Sequence, residues 1–388
     1  MIRVKSIFFI FLLCVHLYAY LIWLDFRSIA FAFLFVSLVC SFFILFLGGC
    51  RFGYFYIFSL LVLLVYVFFV PFFIGGTLSV FYSVVQLFVA LLIYNASKVI
   101  AENDGHVLDC LLFFAMTNIA LLFGFWFFSG ASLFKPWVLT ALNPNILGFF
   151  VFLNLFVLVA FLFMGRGRAA RFFSAVFVVA AVFLILVSGA RSTLGALVIS
   201  VIFYALLRLF NIKVNKRVVV SSIFFVFLVS PAFAYFYVFL SAGIYADELN
   251  FAFGEITGKN LFTGREVIWK AVISSIGDNL LFGRGFGSSM GLLDLDVSAH
   301  NLYLTLLYQL GVVGYFLFFV VVSLALGNLS AGSASNRFQA LCFSLLMVVL
   351  FQQNFEIFLF QNNLPASFLF WVCLALSNRK MQSPNKLG

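Results

Sequence analysis

The feature that most limits what this chain can fold into is a succession of twelve continuous apolar runs, most of about 20 residues. They fall at approximately 7–24, 28–47, 53–73, 78–96, 107–128, 146–164, 172–189, 193–210, 218–240, 302–326, 339–358 and 364–377. A helix needs about 20 apolar residues to cross a hydrocarbon core of about 30 Å, so each run but the short last one has the length of a span. The runs are apolar at every position instead of every second one, which specifies helices and not the strands of a membrane barrel. The expected fold is all-α: a polytopic membrane helical bundle of about 12 transmembrane helices, forming a single integral membrane domain over residues 1–388. With 65% of residues hydrophobic and 9% charged, little chain remains for a separate aqueous domain.

The net charge of +10 is then a question of sidedness. If the N-terminus is cytoplasmic, the inner connections carry Arg3, Lys5, Arg51, Lys98, Arg166, Arg168, Arg171, Arg208, Lys213, Lys216, Arg217, Arg337, Arg379, Lys380 and Lys386, which is 15 of the 22 basic residues. The outer connections carry Arg27, Lys135, Arg191, Lys259, Arg265, Lys270 and Arg284, with most of the acidic residues. Both termini are expected in the cytoplasm. The charge serves orientation, and no nucleic-acid partner is implied.

One outer connection stands apart. About 60 residues from Ser241 to His300 separate the ninth and tenth spans and hold over half of the outer-face charges. Long loops on a rigid scaffold are where function concentrates, so 241–300 is the expected catalytic loop. Within it, Arg265 to Gly277 has helical spacing, with Ile268, Val272 and Ile276 on one side joined by Trp269 and Ile273. Such a helix either lies at the membrane surface with Trp269 at headgroup level or packs on the bundle.

The six cysteines lie in or beside apolar runs without paired spacing, and suggest neither a disulfide framework nor a metal site. The first run is longer than a signal-peptide core and lacks a small-residue cleavage site, so it reads as a retained span.

Three outer-face residues have the chemistry of a site. Arg191 closes the short seventh-to-eighth hairpin, in Ser188-Gly189-Ala190-Arg191. A guanidinium so near hydrocarbon calls for compensation by a distant carboxylate, a ligand phosphate or lipid headgroups. Arg265 lies in the long loop. His300 stands where that loop re-enters the membrane, just before Asn301, a potential helix cap. A neutral imidazole there is able to accept a hydroxyl proton, although interfacial histidines also serve structure. The polar stretch Gln352-Gln353-Asn354 with Glu356, and Gln361 to Asn363, is either an acceptor-binding patch or a polar helix end. Asp294-Leu295-Asp296 is too short a pattern to assign a metal. Gly283-Arg284-Gly285-Phe286-Gly287 lacks nucleotide-loop spacing and reads as a tight turn whose N–H groups are able to face an anion.

Several motifs in order carry a resemblance: Asn143-Pro144-Asn145, Ser-Gly-Ala-Arg191, Thr263-Gly264-Arg265-Glu266-Val267-Ile268-Trp269, Phe282 to Gly287, Ala299-His300-Asn301-Leu302-Tyr303-Leu304 and Leu310-Gly311-Val312-Val313-Gly314. From roughly residue 140 to 325 the chain resembles the O-antigen ligase and O-antigen polymerase superfamily; the first five spans match only in hydropathy. The resemblance implies a metal-independent, cofactor-free glycosyltransferase of the bacterial inner membrane, with its active site facing the periplasm. Its donor would be an undecaprenyl-diphosphate-linked glycan and its acceptor a glycan or a lipid A core sugar, with membrane lipid and other polysaccharide-assembly membrane proteins as further partners. It makes Arg191 and Arg265 the diphosphate-binding residues and His300 the residue that activates the acceptor. Arg284, Trp269, Asn301 and Tyr303 are the substrate-binding candidates around them. Both superfamily activities use the same donor. Polymerase is slightly favoured by the Phe-rich composition, and ligase is the alternative. A polysaccharide transporter or flippase is the reading of another class, disfavoured because the charges crowd one rim instead of mid-membrane positions.

Overall fold

The helices follow the apolar runs. A computed structural model describes residues 2–23, 26–47, 54–74, 91–99, 107–129, 144–164, 167–257, 260–262, 264–288, 298–327, 336–359 and 364–375. Most of the fourth run (78–90), Asn143, Thr263, Asp294 to Asp296 and Gln361 to Asn363 lie outside these described residues. The elements are α1 (Ile2–Trp23), α2 (Arg27–Leu47), α3 (Tyr54–Ile74), a helical piece α4 over 91–99, α5 (Val107–Phe128), α6 (Pro144–Met164), α7 (Arg168–Val187), α8 (Arg191–Leu209), α9 (Lys216–Ser241), α10 (Ala246–Thr257), α11 (Arg265–Asp278), α12 (Leu302–Leu326), α13 (Asn336–Gln352) and α14 (Leu364–Ala375). Among the described residues there is no strand.

Seven of these helices, α2, α5, α6, α7, α8, α9 and α12, are long and apolar enough to cross a membrane. Shorter apolar stretches occur at Ser6–Tyr18, Tyr56–Val67 and Arg337–Gln352. The chain is therefore a multi-pass helical membrane protein. Its outward faces agree with lipid contact: Phe42 and Phe43 on α2, Phe172 and Val179 on α7, Val201 and Leu209 on α8, and Phe225 and Leu228 on α9 are large, apolar and exposed. In water such faces would be costly; in lipid they are solvated. The centre of the bundle is α6, apolar on every side and 78% buried over its spanning window. Around it pack α5, α7, α8, α13 and α14, while α9 and α12 pair with each other and α3 lies on α12.

Backbone groups inside a membrane must find partners within the protein, and three interruptions show how this chain supplies them. Pro231 in α9 has no N–H to give the carbonyl of Phe227, and the Tyr315 hydroxyl donates to that oxygen instead at 2.6 Å. Helix α12 breaks at Gly311, whose φ of 61° lies in the left-handed region. The break releases the carbonyls of Tyr308 and Gln309 and the N–H groups of Val312 and Val313. The segment after α11 replaces both lost bonds: Arg284 and Gly285 N–H donate to Tyr308 and Gln309 oxygens at 2.9 and 2.8 Å, and Leu280 and Leu281 oxygens accept from Val312 and Val313 at 2.8 and 3.2 Å. Tyr66 of α3 caps the remaining carbonyl, Leu310, at 2.6 Å. The two strands of backbone approach so closely that a Cβ on Gly283 would sit 2.5 Å from the carbonyl carbon of Gln309. Within the Gly283–Gly287 turn, the Arg284 and Gly285 N–H groups thus face a broken helix and not an anion, which corrects the sequence expectation for these two groups.

The third interruption concerns the eleventh run. Read as one span over 339–358, it is a helix only to Gln352, followed by a buried turn through 353–359. Polar side chains compete for the backbone there. Gln353 Oε1 accepts from Phe358 and Leu359 N–H at 2.9 and 3.2 Å, and Asn354 Nδ2 donates to the Phe351 carbonyl at 2.9 Å. This turn carries Glu356 into the protein.

Candidate functional site

Four chain segments meet at one end of the bundle. The first is the α7–α8 hairpin, where Gly189 with φ of 65° makes the reversal and Ala190 caps α8, so that Arg191 opens the helix. The second is the start of α11, where Gly264 is left-handed and its N–H is held by the Glu266 carboxylate at 3.0 and 3.1 Å, leaving Arg265 as the first helical residue. The third is the entry to α12. Asn301 is extended and its side chain accepts from Leu304 N–H at 3.0 Å, the cap expected of it. The fourth is the buried turn that follows α13.

Arg191 and Arg265 line one cavity of about 470 Å³. Its wall also includes Pro144, Asn145, Gly189, Ser192, Tyr237, Phe253, Trp269, Phe351, Gln352 and Phe355. The first residues of three helices, Pro144 of α6, Arg191 of α8 and Arg265 of α11, are therefore on that wall. Each helix start carries unpaired N–H groups and the positive end of a peptide dipole, which favours an anion there. Arg191 is exposed, and among the described residues no carboxylate pairs with it. A cation held open in a concave, half-apolar wall is suited to a ligand phosphate.

Glu356 connects the second arginine to the histidine. Its side chain is only 5% exposed, and its Oε1 accepts from Asn145 Nδ2 at 2.7 Å and from Arg265 at 3.5 Å. Its Oε2 lies 2.9 Å from His300 Nδ1. A carboxylate only accepts, so a neutral imidazole here donates from Nδ1 and leaves the Nε2 lone pair free. Asn145 in turn accepts from the Ser192 hydroxyl at 3.2 Å, next to Arg191. One hydrogen-bonded chain thus runs from the start of α8 through α6 and the post-α13 turn to Arg265 and His300.

His300 is held tightly on both sides. It is a non-glycine residue with φ of 49°, a conformation that costs about 1–3 kcal/mol and persists only where the surroundings fix it. The preceding carbonyl, Ala299, accepts from Trp269 Nε1 at 2.7 Å, and Leu302 N–H donates to the Gln353 carbonyl at 2.9 Å. Trp269 is 1% exposed, and α11 packs on α9 and α12. That packing alternative is the one realised.

The other sequence candidates have different surroundings. Trp269 contributes to the cavity wall while its polar edge is used on Ala299. Asn301 and Tyr303 are fully buried, and the Tyr303 hydroxyl donates to the Leu350 carbonyl at 2.7 Å, so their polar groups frame the α12 entry. Arg284 is apart from the cavity wall, paired with Asp278 at 3.2 Å and lying over the Tyr308 ring at 5.9 Å. Sequence reasoning left Glu356 in an unresolved polar patch. The signal was present, since an acidic residue within a late apolar run is expensive unless it has a partner.

Comparison with known proteins bears on the same stretch. A search of curated proteins returns no match. Residues 175–319, a span that begins in α7 and ends in α12 and holds Arg191, Arg265 and His300, match the family described as O-antigen ligase. The chain is therefore similar to the O-antigen ligase family over the part that carries all three candidate groups.

Proposed function

We propose that this protein transfers a glycan from undecaprenyl diphosphate to an acceptor sugar hydroxyl at the periplasmic face of a bacterial inner membrane, as the polymerising step of O-antigen or related surface-polysaccharide assembly. The observation that carries this reading is the shared cavity: two arginines and three helix N-termini on one wall, with His300 on the same carboxylate as Arg265. The excess of basic residues on the opposite connections supports the periplasmic placement.

In the proposed reaction the diphosphate lies against Arg191 and Arg265. The acceptor hydroxyl gives its proton to His300 Nε2 as its oxygen forms a bond to the anomeric carbon. The bond from that carbon to the phosphate oxygen breaks, and undecaprenyl diphosphate leaves with the electron pair. Negative charge grows on the leaving group, where the guanidiniums and helix termini are already oriented and need no rearrangement to stabilise it. The imidazolium formed is stabilised by Glu356, which also fixes the ring tautomer. Direct displacement inverts the anomeric centre without a covalent enzyme intermediate. In many transferases a divalent cation supports the leaving group; in the proposed reaction the two arginines take that part.

Arg191→Ala, Arg265→Ala and His300→Ala are each expected to lower glycan transfer by at least about 10²-fold while the protein inserts at normal levels. Intact transfer in all three would refute the assignment. The matching family's description keeps ligation to the lipid A core as a second reading. Deleting the gene separates the two: lipopolysaccharide with single repeat units indicates a polymerase, and bare core with accumulated lipid-linked polymer indicates a ligase.

A further inference from the structure

Gln352 is the last residue of α13 and lines the cavity shared by Arg191 and Arg265. It is 1% exposed, and among the described residues neither its Nε2 nor its Oε1 has a hydrogen-bond partner. The polar side chains that follow it are engaged, apart from Asn354 Oδ1, which also has no partner among the described residues. Gln353 Oε1 takes two backbone N–H groups, Asn354 Nδ2 reaches Ser230, and both Glu356 oxygens are in use. Buried side-chain amides are nearly always paired, and an unpaired one weakens the fold until a ligand satisfies it.

The chemistry of the amide restricts the ligand. It offers two N–H donors and one carbonyl acceptor. A diphosphate satisfies only the donors, and an isoprenoid chain satisfies neither side. A sugar hydroxyl or acetamido group meets both. The same cavity is lined by the aromatic residues Phe351, Phe355, Tyr237 and Trp269, and the C–H face of a sugar ring is able to pack against aromatic side chains. We infer that Gln352 reads the first sugar of the donor, the one attached to the diphosphate, through a paired donor and acceptor contact. The donor is assigned and not the acceptor because Gln352 shares its wall with both arginines, whereas His300 joins that wall through Glu356. This inference rests on the proposed diphosphate role of the cavity.

The test measures binding to the purified full chain in nanodiscs, without acceptor, of undecaprenyl diphosphate and of the same lipid bearing N-acetylglucosamine or galactose. The wild-type protein is expected to favour at least one sugar-bearing lipid by about tenfold or more, since sites built to hydrogen-bond a group reject analogues lacking it. Gln352→Leu is expected to lose that preference, to bind the sugar-free lipid as before, and to melt about 2 °C or more higher because the unpaired amide is gone. Gln352→Met should behave alike, which guards against a failure specific to leucine. A preference retained in both variants overturns the inference, as does a wild-type protein that binds all the lipids equally. A wild-type protein that binds none of them overturns the diphosphate reading and the inference with it.

Discussion

Replacing Glu356 by glutamine keeps the shape of the side chain and removes its charge, and the surrounding contacts determine what the amide must do. Two donors, Asn145 Nδ2 at 2.7 Å and Arg265 at 3.5 Å, converge on Oε1. They hold the amide oxygen there and turn the NH₂ group toward His300 Nδ1, where the carboxylate stood at 2.9 Å. An NH₂ group only donates, so Nδ1 becomes the acceptor and the ring proton moves to Nε2. The nitrogen proposed to take the acceptor proton then no longer has a lone pair. Positioned general bases contribute about 10²–10⁴ in rate, or about 3–5 kcal/mol of barrier, and a factor in that range is the expected loss in glycan transfer. Stability changes less. Unit charges 3.5 Å apart attract by about 5 kcal/mol at an effective dielectric of about 20, but burying the carboxylate costs several kcal/mol against that gain. Arg265 is about a quarter exposed and lines an open cavity, so it is not stranded by the change. The assay is single-turnover transfer in proteoliposomes, alongside donor binding and thermal unfolding of the same preparations. Donor affinity should stay near the wild-type value. Because Glu356 acts through His300, the double variant with His300→Ala should transfer no more slowly than His300→Ala alone. A loss of less than tenfold, or a double variant slower by the full single-variant factor, would refute the reasoning.

Three further outcomes test neighbouring parts of the structure. Arg191→Lys should impair donor binding while leaving thermal stability within about 0.5 kcal/mol, because an ammonium cannot make the forked phosphate contact and the side chain is exposed. Trp269→Phe leaves the buried Ala299 carbonyl without its donor, so unfolding measurements should show a loss of about 1–3 kcal/mol, with transfer falling more than donor binding as His300 loosens. Gly283→Ala combines a left-handed φ of 71° with a Cβ 2.5 Å from the backbone of Gln309; it should cost more than the about 1–2 kcal/mol of the backbone conformation alone and be visible as reduced yield of folded protein in detergent.

How much of this was legible in the chain differs from element to element. The boundaries of α5, α9 and α12 lie within a few residues of their apolar runs, because in lipid the length of an apolar stretch and the need for internal hydrogen bonding leave the helix as the only solution. Arg191, Arg265 and His300 stood out for a related reason: with so few charges in the chain, those not needed for orientation are conspicuous. The glycine motifs were visible but their purpose was not. Whether the N–H groups of Arg284 and Gly285 face an anion or a carbonyl depends on a break in α12, which the sequence marks only with one glycine. Glu356 was visible as a costly residue without a stated partner. Its neighbours Asn145, Arg265 and His300 are separated from it by 211, 91 and 56 residues.

The sequence by itself therefore determined the solvent, the helical type of the elements, and the residues worth suspecting. Only the tertiary structure decided that two arginines share one cavity, that Glu356 bonds the imidazole, and that Gln352 has both polar atoms buried without a partner among the described residues. The reason is physical: hydropathy is a local property that each segment satisfies against lipid alone, whereas a hydrogen bond or ion pair between distant segments exists only when packing brings donor and acceptor to within about 3 Å.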